Sequence, residues 1–520
     1  MFLFVNRCLP VNKKILASCI GNCAHVAGPI NFLRLAEKFD YDTTFLGPSK
    51  SPEEIIKAIE LKKPDIVAIS YRLTPETGIG ELVNFKQLLD ASGFGNVELL
   101  LGALPNLVSE AKKENLFDTY FQGGETTSVV AYLKGEDMSH AQSYFSQNVL
   151  DRIKQNKPFP LLRHHYGVPS LEETITGVNK ISKSGVLDVI SLGLDQDAQS
   201  HFFHPERMKN EAGAGGVPVR TKDDLKKLYQ ASKTGNFPLL RTYAGTDDLI
   251  DFAELITDTI NNAWSAIPIF WFNQMDGRGP MELEYSLKVH LDTISWHAKR
   301  NIPVEILESH HWSMRDATDE IAVASGFLGA YICKQLGVTD YISQYMFNTP
   351  AHTTQRDDLA KMLAQKELIE SLETSDFTVY TQTRTGLVSY PVDMAKAKGQ
   401  LASSTMLQMQ LNPDIIHVVS FTEANHAATA DDVIESANIV KRVVENSING
   451  MPSMQYDPYI LERKNIIKSQ ALGIFNQILA LGDPTKPEIL KQVVDKGIFW
   501  APQLNRYNPV AEAVYEIKND

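Results

Sequence analysis

The sequence predicts an α/β protein in two parts: an N-terminal flavodoxin-like (Rossmann-like) sheet, followed by a (β/α)8 TIM barrel. Two observations predict it. Over residues 1–135 short apolar runs alternate with amphipathic stretches, which implies βαβ units and a parallel sheet covered on both faces. From residue 159 the alternation returns as eight apolar strands, each followed by a helix, over roughly 290 residues; eight of eight favours closure over an open sheet. Between them, 136–158 reads as a polar connector with a helix near 144–155. The barrel runs to 450, and 451–520 reads as a helical extension.

Length and composition agree. A chain of 520 residues is too long for one ordinary domain, and 43% hydrophobic with 22% charged residues is the profile of a globular protein. The 50 basic against 63 acidic residues give −13 with no basic block, which argues against a nucleic-acid or anionic-membrane partner. Phe2-Leu3-Phe4-Val5 is too short for a signal-peptide core, and no 18-residue apolar run suggests a membrane span. The four cysteines lack metal-finger spacing and suit a reducing cytoplasm. A homodimer is left open.

In the first part, 15–20 reads as a buried strand, a loop then presents His25, and 30–39 reads as the following helix. Residues 52–63 form a helix with Pro52 at its first position, Ser51 as cap, acids in the first turn and lysines in the last. Further buried strands are 65–71, running into Arg72, Leu73 and Thr74, and 97–102, ending at Gly102; the segment 121–126 carries Gly123 and Gly124. Loops at the carboxyl ends of such strands are where open α/β sheets bind ligands.

These residues together resemble the cobalamin-binding domain of vitamin B12-dependent mutases and methionine synthases, whose signature is Asp-x-His-x-x-Gly, then Ser-x-Leu, then Gly-Gly. His25 and Gly28 match the first element, within the loop Cys23-Ala24-His25-Val26. Ser70 matches the second, with Arg72 at the position of the family's Leu and Leu73 one place on. Gly102, Gly123 and Gly124 match the glycines. The resemblance implies His25 as the lower cobalt ligand, the one metal contact expected. Cys23 stands where the family has the carboxylate that orients this histidine.

In the second part the expected strands are 160–166, 187–194, 238–243, 267–272, 303–308, 341–347, 377–382 and 415–421. Helices lie between them, including 221–234, 249–262, 281–300 and 430–446. Barrel active sites lie at the carboxyl ends of strands. Here those ends carry Arg163, His164 and His165; Asp195, His201, His204 and Arg207; Arg241 and Tyr243; Asn273 to Asp276; Glu308, His310 and His311; Asn348 and His352; Gln382 and Arg384; Glu423 and His426. Eight of the chain's 13 histidines fall in this one rim, which points to function rather than surface chance.

The barrel, above all its last third, resembles the large subunit of glutamate (methylaspartate) mutase. The likeness rests on Pro391, Asp393, Lys396 and Gly399, then the run 416–424 with Glu423, then 437–482. It implies a cobalamin domain over the barrel mouth and adenosylcobalamin-dependent radical isomerisation. Lys396 falls on a lysine that contacts the cofactor's ribose, and Glu423 on a rim carboxylate. Of the family's arginine claw for a dicarboxylate, Arg241 aligns, whereas Arg163 and Arg207 are shifted. The family's general-base segment aligns with 267–273, which offers no carboxylate. The expected substrate is therefore a small organic acid other than glutamate, with Arg163, His164, Arg241, Glu308, His310, His311 and Glu423 as candidate catalytic residues. Two alternatives stand beside this reading: a methyltransferase using methylcobalamin, and a metal-dependent lyase or hydrolase with a His-rich rim and a regulatory corrinoid domain.

Overall fold

A computed structural model describes residues 13–122, 126–135, 145–209, 216–243, 245, 247–351 and 353–507. The chain forms two compact units, Met1–Tyr144 and Phe145–Asp520.

The first unit is a five-stranded parallel sheet in the order β2-β1-β3-β4-β5. Its strands are β1 (Lys14–Ile20), β2 (Asp42–Lys50), β3 (Ile66–Tyr71), β4 (Glu98–Ala103) and β5 (Thr119–Gln122). Between and after them come α1 (Ala27–Glu37), α2 (Pro52–Lys62), α3 (Pro75–Ala91), α4 (Pro105–Lys113) and α5 (Thr126–Leu133). Alternation along the strands feeds two cores. Val67, Ile69, Leu99 and Leu101 pack with Ile55, Leu82, Phe85 and Leu107 of α2, α3 and α4. Ile66, Ala68 and Leu100 pack with Leu33 of α1 and Leu133 of α5. The sheet is thus wound on both faces, with the flavodoxin-like order whose ligand crevice opens between β1 and β3. The Ser51 cap holds: Glu54 N–H donates to its hydroxyl at 3.3 Å and Ser51 N–H donates to the Glu54 carboxylate at 2.9 Å, a full capping box. The sequence reading did not include β2. This strand lies at the sheet edge, is largely half-buried and carries Gly47 and Pro48, so it lacks the apolar run that marks a central strand.

The second unit holds eight parallel strands: β6 (Leu161–Tyr166), β7 (Val189–Leu192), β8 (Leu239–Arg241), β9 (Ser265–Ile267), β10 (Val304–Ile306), β11 (Asp340–Phe347), β12 (Thr378–Thr385) and β13 (Ile415–His417). They pair in the order β8-β7-β6-β13-β12-β11-β10-β9, a nearly closed barrel. The expected connector divides differently. Its helix, α6 (Val149–Asn156), belongs to this unit, where Val149 and Ile153 pack on Leu161, Val189, Leu239, Ile342 and Ile415, the apolar end of the barrel interior. The fourth strand is shorter and earlier than the expected 267–272. Pro268 has no N–H to give a ladder, and the Ile269 and Phe270 N–H groups donate to the Glu308 carboxylate instead. Towards the C-terminus the helices Pro458–Leu481 and Pro487–Asp495 join the same outer core as Phe327 and Trp312. Among the described residues no helix is long and apolar enough to cross a membrane.

β8 and β9 form no paired ladder, and the seam is laced by one residue. Asn262 accepts the Thr242 N–H at 2.8 Å and donates to the Trp264 carbonyl at 2.8 Å, beside one backbone bond from Ala263 N–H to the Leu240 carbonyl at 3.0 Å. Asn262→Ala is expected to lower the stability of this unit by about 1–2 kcal/mol, the cost of leaving these backbone groups without the amide. All 5 tryptophans lie in the second unit, so a urea melt followed by tryptophan fluorescence reads it directly; an unmoved midpoint would show that the seam closes without the side chain.

Candidate functional site

At the crevice of the first unit the loop after β1 is pinned from several sides. Ser49 N–H donates to the Cys23 carbonyl at 2.9 Å, and the Tyr71 hydroxyl donates to Asn22 at 3.2 Å. Cys23 is buried, and its sulfur accepts the Arg72 N–H at 3.3 Å while lying 3.8 Å from Nδ1 of His25. Cys19, whose thiol burial pushes up to about 11, donates to the His25 carbonyl at 3.6 Å. The imidazole itself is exposed. Cys23 therefore stands at Nδ1 of His25, so a metal held by this imidazole would meet Nε2. Ala24, Gly28, Arg72 and Thr74 are exposed, and Val26, Ser70, Leu73 and Gly102 half-buried. A Cβ at Gly102 would meet nothing within 4 Å, and one at Gly28 only the Ser70 hydroxyl at 3.9 Å. Neither glycine is required by the chain's own packing. Gly123 and Gly124 lie outside the described residues.

In the second unit, strand alternation sorts the predicted residues. Leu161 faces the barrel interior, so Arg163 and His165 do too. Leu162 and Tyr166 pack with the outer helices, and His164 shares their face. His164 therefore lies on the face of the outer helices: its Nδ1 meets the His165 carbonyl, burial holds it near pKa 4, and its neighbour His165 is the interior histidine.

Above the apolar end lies a charged layer centred on Glu305, which is 0% exposed. Its carboxylate accepts the Trp264 indole N–H at 2.7 Å and stands 3.7 Å from Arg163 and 3.4 Å from Arg241. Arg163 is fully engaged, donating to Gln382 at 2.7 Å, Ser191 at 2.9 Å and His165 Nε2 at 3.3 Å. Arg241 is not. It is 1% exposed and lies over the Trp264 ring at 4.8 Å, and its Nε and Nη2 make no hydrogen bond among the described residues. Nε of Arg384 is likewise unpartnered. The ion-pair contact of Arg241 to Glu305 lacks hydrogen-bond alignment, so the Nε–Nη2 edge, the fork that grips a carboxylate side-on, is unspent. Arg163 and Arg241 face Glu305, while Arg384 is drawn first to Glu423 and then to Glu305.

His165 and His417 lie 4.9 Å apart ring to ring in the same layer. Burial first, then the Arg163 charge, holds both well below the ordinary imidazole range, so both are neutral at pH 7. His310 and His311, 4.3 Å apart, are also buried and neutral, for reasons of burial first and then arginine charges or each other. Glu308 is no open base. Its oxygens accept from Ile269 N–H (2.6 Å), Phe270 N–H (3.2 Å), Trp271 (3.0 Å) and Trp312 (3.2 Å), and it holds the 268–272 segment in place. Glu423 is exposed and interacts with Arg384; Lys396 is exposed in the first turn of the helix Met394–Gln408. His204 pairs with Asp248 at 3.0 Å and Arg207 with Glu206 and Asp247, as exposed or half-exposed ion pairs. His352 lies outside the described residues. Among the described residues no three His, Cys, Asp or Glu side chains converge as metal ligands. The sequence reading did not single out Glu305, Gln344 and His417. A charged or polar residue inside an apolar strand is the signal that finds them.

Burial pushes Glu308 up to about 7 from 4.5, against the lowering pull of its four donors. A folded-state pKa above the unfolded one means the folded chain holds the proton more tightly. That contribution to stability is full below about pH 4.5 and is lost as pH rises through 7. The stability difference between wild type and Glu308→Gln should therefore shrink by about 3 kcal/mol across that window. Denaturant melts at several pH values test this, and a difference that widened would reverse the assignment.

No family model matches the chain, and no curated protein matches it. Among solved structures, it is similar to a cobalamin-binding protein from Desulfitobacterium hafniense DCB-2, at 22% identity over 21% of this chain and 52% of that one, TM-score 0.19. It is also similar to a truncated 3-deoxy-D-arabino-heptulosonate 7-phosphate synthase from Thermotoga maritima, at 11% identity over 56% and 88%, TM-score 0.33. A third is the cobalamin-dependent S-adenosylmethionine radical enzyme OxsB, at 11% over 84% and 56%, TM-score 0.19. The chain thus spans about half the length of the first and third. TM-scores this low give the three likenesses no weight for activity.

Proposed function

We propose that the protein is a cobalamin-dependent enzyme, an isomerase that uses adenosylcobalamin for radical carbon-skeleton rearrangement of a small carboxylic acid other than glutamate. One observation carries the reading: an exposed histidine at the crevice of a 2-1-3-4-5 sheet, its Nδ1 faced by a buried sulfur. His25, Gly28, Ser70 and Gly102 would hold the corrinoid. Bound there, adenosylcobalamin supplies a carbon radical. The chain's own residues do the rest. Arg241 binds the acid by its unspent fork, Glu305 and Trp264 fix that guanidinium, and the neutral histidines of the barrel interior offer hydrogen bonds without adding charge.

A second reading, methyl transfer with methylcobalamin, is favoured by a specific observation. The four donors on Glu308 leave no open carboxylate base among the buried candidates, and methyl transfer needs none of the hydrogen-abstraction apparatus.

Three tests follow from this assignment. Purified protein incubated with adenosyl- or methylcobalamin and reduced to Co(II) should show nitrogen superhyperfine splitting that changes on ¹⁵N-histidine labelling and is lost in His25→Ala. Splitting that survives both changes would place another base below cobalt. Freeze-quench of the adenosyl form with candidate acids separates the two chemistries, since a coupled radical signal supports rearrangement and methyl loss without radical supports transfer. Arg241→Ala should weaken binding of the acid by about 3–5 kcal/mol, the cost of removing one partner of a buried pair. A true substrate bound equally well by that variant would remove Arg241 from the site.

A further inference from the structure

We infer that Arg163 is a positioning residue that locks two barrel histidines in opposite tautomers, and that His310 thereby presents a fixed N–H donor to an oxygen of the bound acid. The second half rests on the acid-binding reading above; the first does not.

The lock follows from which groups can only donate. A guanidinium has no acceptor, so the atom of Gln382 that meets Arg163 Nε at 2.7 Å is the carbonyl oxygen. The Gln382 amide nitrogen is then the one that approaches Gln344, at 3.1 Å, and it requires the Gln344 carbonyl oxygen there. The Gln344 nitrogen is left facing Nδ1 of His310 at 2.8 Å and donates to it. Nδ1 is therefore the bare nitrogen, and the ring proton sits on Nε2. A second hydrogen of the same guanidinium works in the opposite sense. Arg163 Nη1 approaches His165 Nε2 at 3.3 Å, so Nε2 accepts there and the proton of His165 sits on Nδ1.

The chain of donors cannot reverse while Arg163 keeps its charge, and an arginine keeps it. Gln344 is held further by its backbone, since the Gln365 amide donates to the Gln344 carbonyl at 3.2 Å and is itself fixed by the Ser309 hydroxyl at 2.6 Å. Two consequences follow for His310. Its lone pair at Nδ1 is spent on Gln344, so it is not the base that the sequence lacks at 267–273. Its Nε2–H makes no hydrogen bond among the described residues, and it lies at the carboxyl end of β10, the end at which barrels bind their ligands. A neutral N–H donor of this kind stabilises an anionic or carbonyl oxygen without a proton changing hands.

Long-range ¹H–¹⁵N correlation spectra of the full chain labelled with ¹⁵N-histidine, assigned by His310→Gln and His165→Gln, read the tautomers directly. The expected wild-type result at pH 7 is a protonated Nε2 in His310 and a protonated Nδ1 in His165. Gln382→Glu touches neither nitrogen of His310. It places an acceptor where the Gln382 amide donates, turns Gln344 over, and should move the His310 proton to Nδ1, an effect that a purely structural role for the relay would not produce. Gln344→Glu should do the same by direct contact and serves if the first variant folds poorly. A wild-type His310 protonated at Nδ1 or at both nitrogens overturns the lock, as does a tautomer unmoved by both variants. Succinate and benzoate then probe the donor role: calorimetric binding that is lost in Arg241→Lys should shift the His310 Nε2–H signal. Binding with no such shift overturns the donor role and leaves the acid-binding reading standing. Absence of binding by either acid counts against that reading and the donor role together, while the tautomer spectra stand on their own.

Discussion

The second unit depends on a single buried carboxylate. Glu305 sits at the centre of the barrel with no access to water, and two guanidiniums and one indole converge on it. Taking any one of these charges out of water alone would cost several kcal/mol, so each is tolerated only because the others are present. This mutual dependence divides the arginines. Arg163 is consumed by the scaffold, while Arg241 is held in position by Glu305 and Trp264 yet keeps its binding edge. A guanidinium held by charge and by an aromatic ring, with the hydrogens of its Nε–Nη2 edge undonated among the described residues, is a preorganised receptor for a carboxylate. It loses little freedom when that carboxylate arrives.

The apolar packing of α6 at the other end of the interior completes the arrangement. Leu161, Val189, Leu239, Ile342 and Ile415 seal the lower layer with Val149 and Ile153, so polar groups occupy only the layers above. Four strands thus turn from apolar to polar along their own length: Leu161 to Arg163 to His165, Leu239 to Arg241, Ile342 to Gln344, Ile415 to His417. The depth of a residue along its strand, more than its identity, decides whether it supports the core or meets a ligand.

Most of the framework was legible in the sequence. Short apolar runs marked the central strands, and Ser51 with Pro52 and Glu54 marked a helix start because capping is a local matter of a few atoms. What failed to show was orientation. In a strand buried on both sides, apolar residues occupy both faces, so periodicity cannot tell which of His164 and His165 points inward; the outer helices and the barrel interior both accept leucine. The fourth strand ended early because an acceptor more than thirty residues away, Glu308, captured its backbone N–H groups, a long-range event with no local signature. At the crevice of the first unit, Cys23 read as a departure from an expected carboxylate, and its sulfur lies 3.8 Å from Nδ1 of His25, a contact the sequence alone does not show.

The seam beside Arg241 carries a mechanical meaning. A fully laced barrel has a fixed girth, since every stave is clamped by two neighbours and none can shift alone. Here the stave that bears Arg241 is clamped on one side by β7 and on the other chiefly by the amide of Asn262. Its angular freedom is therefore limited less by the sheet than by the charge at the barrel's axis. β8 and β9 are the two staves with a sheet neighbour on one side only, and the one that bears the guanidinium is thereby the least constrained by backbone pairing.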